Sequence, residues 1–97
     1  PTDLVATGLA SCMISVMGIK ANQHDINIEG AKAIVTKVMQ SNPRRIAAVK
    51  VIIEMPNIDW VEKERKLLEH TARTCPVAYS LHPDVVQELN FVYHSQA

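Results

Sequence analysis

Aromatic residues are scarce in this 97-residue chain: Trp60, Tyr79, Phe91 and Tyr93 are the whole set. Four rings so far apart form no platform on which successive bases stack. Charge of one sign is missing too, because ten Lys and Arg balance ten Asp and Glu. No basic stripe follows a phosphate backbone, so nucleic acid is not an expected partner. The three glycines are far apart and make no phosphate-cradling loop, and no nucleophile elbow supports Ser/His/Asp chemistry. Two cysteines, Cys12 and Cys75, are too few for a disulfide framework.

A chain of this length makes one domain at most and buries only about two-thirds of the surface its unfolded form exposes. A modest core is expected, which a partner subunit would extend. The uncharged run from Leu4 to Ile19 is short of the roughly 20 residues a bilayer requires and carries Thr7, Ser11, Ser15 and two glycines. A buried core helix is the better reading, and a membrane is not an expected partner. That stretch has no basic flank before it and no evident processing site after it, so a signal peptide is not expected. The compartment that follows is cytoplasmic, with reduced thiols.

What is present reads as an α+β chain. Thr2 is placed to cap a long helix reaching about Asn22, with Asp3 in its first turn near the positive end of the dipole. Small residues (Ala6, Gly8, Ala10, Ser11, Ser15, Gly18) recur along this helix. Glycine and serine there cost up to about 1 kcal/mol each in helix propensity, which implies close packing against neighbours on several sides. "AKAIVTKVMQ" and "IAAVKVIIEM" alternate with period two and flank the turn "SNPRR", as a hairpin does. In the second strand Val49, Val51 and Ile53 share one face. Asp59 is placed to cap a charged helix with Leu67, Leu68, Thr71 and Ala72 on its apolar side, and Glu62 to Lys66 read as a solvated surface. That helix is expected to end near Thr74, because Pro76 cannot continue the ladder. Pro76 opens a short helix with Cys75 as its N-cap, and "VQELNFVYH" closes the chain as a strand.

The two thiols sit in different chemistry. At a helix N-terminus, Cys75 meets free N–H groups that favour a thiolate, whereas Cys12 lies mid-helix among apolar residues, where burial alone makes a thiol inert. Packing by itself also produces core thiols, since free cysteine is among the most buried residue types. His70, His82 and His94 do not stand in a standard zinc-ligand spacing with Cys75, and neither a metal nor a cofactor is expected.

"PTDLVATGLASCMISVM" is similar to the start of the central helix of the OsmC and Ohr family. "RRIAAVKVIIEM", the charged helix and "CPVAYSL" are similar to that family's second half, so the resemblance runs over nearly the whole chain. It implies an OsmC-like fold, a long central helix packed on an antiparallel sheet in an intertwined homodimer. Residues 1–97 would be the C-terminal two-thirds of the usual single domain. It further implies a thiol peroxidase of organic hydroperoxides acting in the oxidative stress response. Cys12 would be the peroxidatic residue and Cys75 the resolving thiol, and a dithiol reductant would restore the pair. In the family an upstream arginine, held by a glutamate at the start of the central helix, activates the peroxidatic thiol. The glutamate position falls on Thr2, next to Asp3, and the arginine position falls before Pro1. The alternative is a non-catalytic protein of the same fold that binds a small hydrophobic ligand.

Overall fold

The computed structural model describes residues 1–56 and 60–93. The chain folds as α1 (Thr2–Gln23), β1 (Lys32–Gln40), β2 (Arg45–Glu54), α2 (Glu62–Arg73), α3 (Pro76–Ser80) and β3 (Val86–Val92). This is the α+β order that the periodicities imply.

Helix α1 buries Ala6, Leu9, Ala10, Met13, Met17 and Ala21. Those spacings of three and four residues form one face of a 3.6-residue helix. By length and composition alone its 22 residues suffice to cross a membrane, but that face packs into the core. The opposite face is open, with Leu4 76% and Ile19 62% exposed. The neighbours expected on several sides are therefore present on one side within the single chain. Thr2 does not cap the helix: it lies inside the first turn, and Pro1 takes the N-cap position without a side-chain bond. The reason is that its hydroxyl is engaged elsewhere, accepting a hydrogen bond from Lys37 Nζ at 2.7 Å.

The hairpin forms as its alternation requires, β1 and β2 pairing antiparallel with one register shift between Val38 and Met39. β3 pairs parallel to β2, in the order β1–β2–β3. The sheet is thus mixed, where a wholly antiparallel one was expected. The connection through α2 and α3 accounts for this, because a helical crossover returns the chain to the end of the sheet from which β2 set out. The register stacks three inward rows: Ala33–Ile53–Phe91, Val35–Val51–Leu89 and Lys37–Val49–Gln87. Val49, Val51 and Ile53 are fully buried. Outward, Ile34, Ile52, Val38 and Val86 remain exposed.

Helix α2 packs on α1 through Leu68 and Ala72, while Glu62, Lys63, Arg65 and Lys66 face solvent. Asp59, expected as its cap, lies outside the described residues. Val61 holds the N-cap position, and its N–H donates to Glu64 Oε1 at 3.3 Å. The end of β3 is pinned to α2 by Tyr93, whose hydroxyl donates to Glu69 Oε2 at 2.6 Å. Arg65 lies 4.4 Å over its ring and Trp60 meets it edge-on at 5.5 Å. Burial first, then the Glu69 bond, push the phenol well above its ordinary value.

Candidate functional site

Cys12 occupies the third turn of α1, on the flank between the buried face and the open one, and is half-buried. Cys75 follows the last turn of α2 and is 1% exposed. Its backbone is extended, it stands at the N-cap of α3, and Pro76 takes the first helical position, as expected. The sulfur accepts the Ala78 N–H at 3.4 Å. Pro76 has no N–H to satisfy, so a single acceptor at the cap serves this short helix well.

Cys12 packs against the core cluster that contains Cys75, and α1 and α3 are neighbours in the fold. Burial is the largest influence on Cys75 and raises its thiol. The Ala78 N–H opposes that rise, and the nearby Cys12 thiol raises it further. The N-cap position therefore does not win at Cys75, contrary to the expectation that it favours the thiolate. A five-residue helix offers little dipole, and desolvation of a sulfur with almost no solvent contact outweighs the Ala78 amide donor.

Thr2 and Asp3, the residues at the start of α1, hold a cation that sequence reasoning did not find. Lys37 Nζ lies 2.7 Å from Asp3 Oδ1 as well as 2.7 Å from Thr2 Oγ1. The Lys37 hydrogen bond, then its charge, lowers the Asp3 carboxyl. The signal was legible as a lysine at an inward position of β1, between the small or apolar Ala33 and Val35 and the turn. This clamp stands ten residues from Cys12, about 15 Å along the helix axis. The ammonium is thus committed to the helix start.

Gln87 is a second residue that sequence reasoning passed over. It occupies the inward face of β3 in line with Leu89 and Phe91, and its Nε2 donates to Ala78 O at 3.0 Å. His70 and His82 are exposed, and His94 lies outside the described residues. Among the described residues no three His, Cys, Asp or Glu side chains converge.

The family model described as OsmC-like protein matches residues 1–90. No protein of curated function matches the chain. Among solved structures, that of an osmotic stress induced and detoxification response protein from Psychrobacter arcticus 273-4 is 48% identical. It superposes with a TM-score of 0.89 over 94% of this chain and 66% of that one. An organic hydroperoxide resistance protein OsmC from Legionella pneumophila is 19% identical, with a TM-score of 0.78 over 95% of this chain and 68% of that one. The organic hydroperoxide resistance protein OhrB of Bacillus subtilis is 21% identical, with a TM-score of 0.70 over 94% and 68%. The chain spans about two-thirds of the length of these relatives. With the mid-helix thiol, the crossover through a charged helix and the Cys-Pro that follows it, the match over residues 1–90 makes this chain a member of the OsmC-like protein family.

Proposed function

We propose that this protein is a cysteine-based peroxidase that reduces organic hydroperoxides through Cys12 and Cys75. The carrying observation is that Cys12 packs against the core that holds Cys75 and that the two thiols differ in access: Cys12 is half-buried and Cys75 almost wholly enclosed. A hydroperoxide reaches Cys12 first. Its thiolate attacks the terminal peroxide oxygen, the O–O bond breaks, the alkoxide takes a proton to leave as the alcohol, and Cys12 becomes a sulfenic acid. The Cys75 sulfur then displaces hydroxide, which departs as water with the Cys75 proton, and a Cys12–Cys75 disulfide remains. Two electrons and two protons from a dithiol reductant return both thiols, leaving the reductant as a disulfide. Neither a cofactor nor a metal enters this cycle. The apolar surroundings of Cys12 suit a hydrophobic hydroperoxide.

The same reading has the protein act in the cytoplasm as a homodimer. The open face of α1 supports the dimer. A Cβ added to Gly8 or Gly18 would meet nothing within 4 Å, so packing inside the chain does not require glycine at either place. A helical glycine costs roughly 1 kcal/mol relative to alanine, and the approach of a second backbone is a physical reason to keep it.

The alternative, non-catalytic binding of a small hydrophobic ligand on the same fold, is favoured by the commitment of Lys37 to Asp3 and Thr2 rather than to a thiol. Turnover of cumene hydroperoxide with dithiothreitol as reductant separates the two. The peroxidase reading requires turnover that Cys12→Ser abolishes. Turnover unchanged in Cys12→Ser overturns it, and no turnover with retained binding of the matching alcohol selects the alternative.

A further inference from the structure

We infer that Gln87 is the positioning residue that keeps the Cys75 sulfur seated at the N-cap of α3. This rests on the two-thiol reading above and adds to it the element on which the second thiol depends. Helix α3 has five residues and cannot hold itself, since isolated helices of that length do not persist in water. Each of its ends leaves backbone groups without helical partners. Ala78 joins the two ends of the problem. Its N–H is bound by the Cys75 sulfur at 3.4 Å, and its carbonyl, too near the C-terminus of α3 to find a helical donor, is bound by Gln87 Nε2 at 3.0 Å.

Gln87 comes from a separate element with its own support. It stands on β3, which is paired through Val49 of β2 to Lys37 of β1, and its neighbours on that face of β3 are Leu89 and Phe91. A polar side chain at an inward position of a strand needs a partner, and Ala78 is that partner. The sheet thereby fixes α3, and α3 fixes the rotamer of Cys75 that caps it. The arrangement has a consequence for the redox cycle. When the sulfur turns to bond Cys12, it gives up its cap on Ala78. Gln87 then still ties α3 to the sheet by a side-chain hydrogen bond, beside the packing of Ala78 and Val77 in the core, so reduction returns the thiol to the same place.

The test uses the full chain and two readouts. In a Cys12→Ser background, the rate at which iodoacetamide alkylates Cys75 reports how firmly α3 is held. Gln87→Met keeps the size and removes the donor, and Gln87→Glu replaces it with an acceptor. Both are expected to speed alkylation by roughly two- to tenfold, the range that one hydrogen bond of this kind sets. Gln87→Lys restores a donor and is expected to return the rate to within about twofold of the parent. A loss of packing alone would not be rescued by a longer, charged side chain. With both cysteines present, equilibration in glutathione buffers is expected to show the Cys12–Cys75 disulfide less favoured by the same factor in Gln87→Met. If Gln87→Met fails to fold by circular dichroism, Gln87→Glu and Gln87→Lys carry the comparison. Equal alkylation rates in the parent and in Gln87→Glu overturn the inference. Faster alkylation without any intrachain disulfide in glutathione buffer leaves the hold on Cys75 standing and overturns the two-thiol reading instead.

Discussion

Replacing Cys75 separates its part in the fold from its part in the chemistry, because the sulfur both caps α3 and is the proposed partner of Cys12. In Cys75→Ala the Ala78 N–H loses its acceptor and a buried sulfur-sized volume empties. Loss of a cap costs about 0.5–2 kcal/mol, and sulfur at 3.4 Å is a weak acceptor, so the lower end applies. Removing one buried group of methylene size adds about 1 kcal/mol. The sum is about 1–2 kcal/mol, which for a domain of this length lowers Tm by roughly 4–16 °C. Cys75→Ser keeps an acceptor at the cap, in a residue type favoured there, and is expected to stay within about 1 kcal/mol of the parent. Thermal unfolding followed by circular dichroism, at one protein concentration and with reductant present, distinguishes them. Alanine and serine variants of equal Tm would refute the claim that the sulfur holds α3. The serine variant is then the proper reagent for activity, since a loss of turnover in the alanine variant mixes both effects.

Stability is expected to fall in two stages as pH rises. Burial raises the Cys75 thiol, so the unfolded chain loses that proton first: stability is full below the ordinary thiol value of about 8.5 and declines above it. Tyr93 is raised as well, and adds a second decline from about pH 10. Cys75→Ser removes the first stage and Tyr93→Phe the second; Tm profiles of the three proteins that superimpose would contradict both assignments. Gly8→Leu tests the homodimer: with a second copy packed on α1, light scattering after size exclusion shows monomer or a weakened dimer. Without one, the exposed leucine leaves the oligomeric state unchanged and its better helix propensity raises Tm.

Much of the fold was legible because its signals are local. The two period-two runs around "SNPRR" specify the β1–β2 hairpin, and the Pro76 ring ends one helix and opens the next, leaving Cys75 at the cap. What depends on tertiary pairing was not legible. Nothing within "VQELNFVYH" says that β3 lies parallel to β2; the crossover through α2 and α3 decides it. Thr2 has the chemistry of a cap, yet a lysine 35 positions away takes its hydroxyl. The preference of a cap position for thiolate was sound in isolation and lost to burial at Cys75. Lys37 and Gln87 share one inward row of the sheet and were passed over for one reason. Each is a polar residue on an otherwise apolar face, a pattern that reads as noise until its partner is known.

The two-thiol mechanism is tested most directly by treating the reduced protein with one equivalent of cumene hydroperoxide and mapping the sulfurs by mass spectrometry. The expected product is a single disulfide joining the Cys12 and Cys75 peptides, with both thiols lost to alkylation and both recovered on adding dithiothreitol. In Cys75→Ser the same treatment is expected to stop at a Cys12 sulfenic acid that dimedone traps. Oxidation confined to Cys12 in the unsubstituted protein, with Cys75 still open to alkylation after denaturation, would contradict the account.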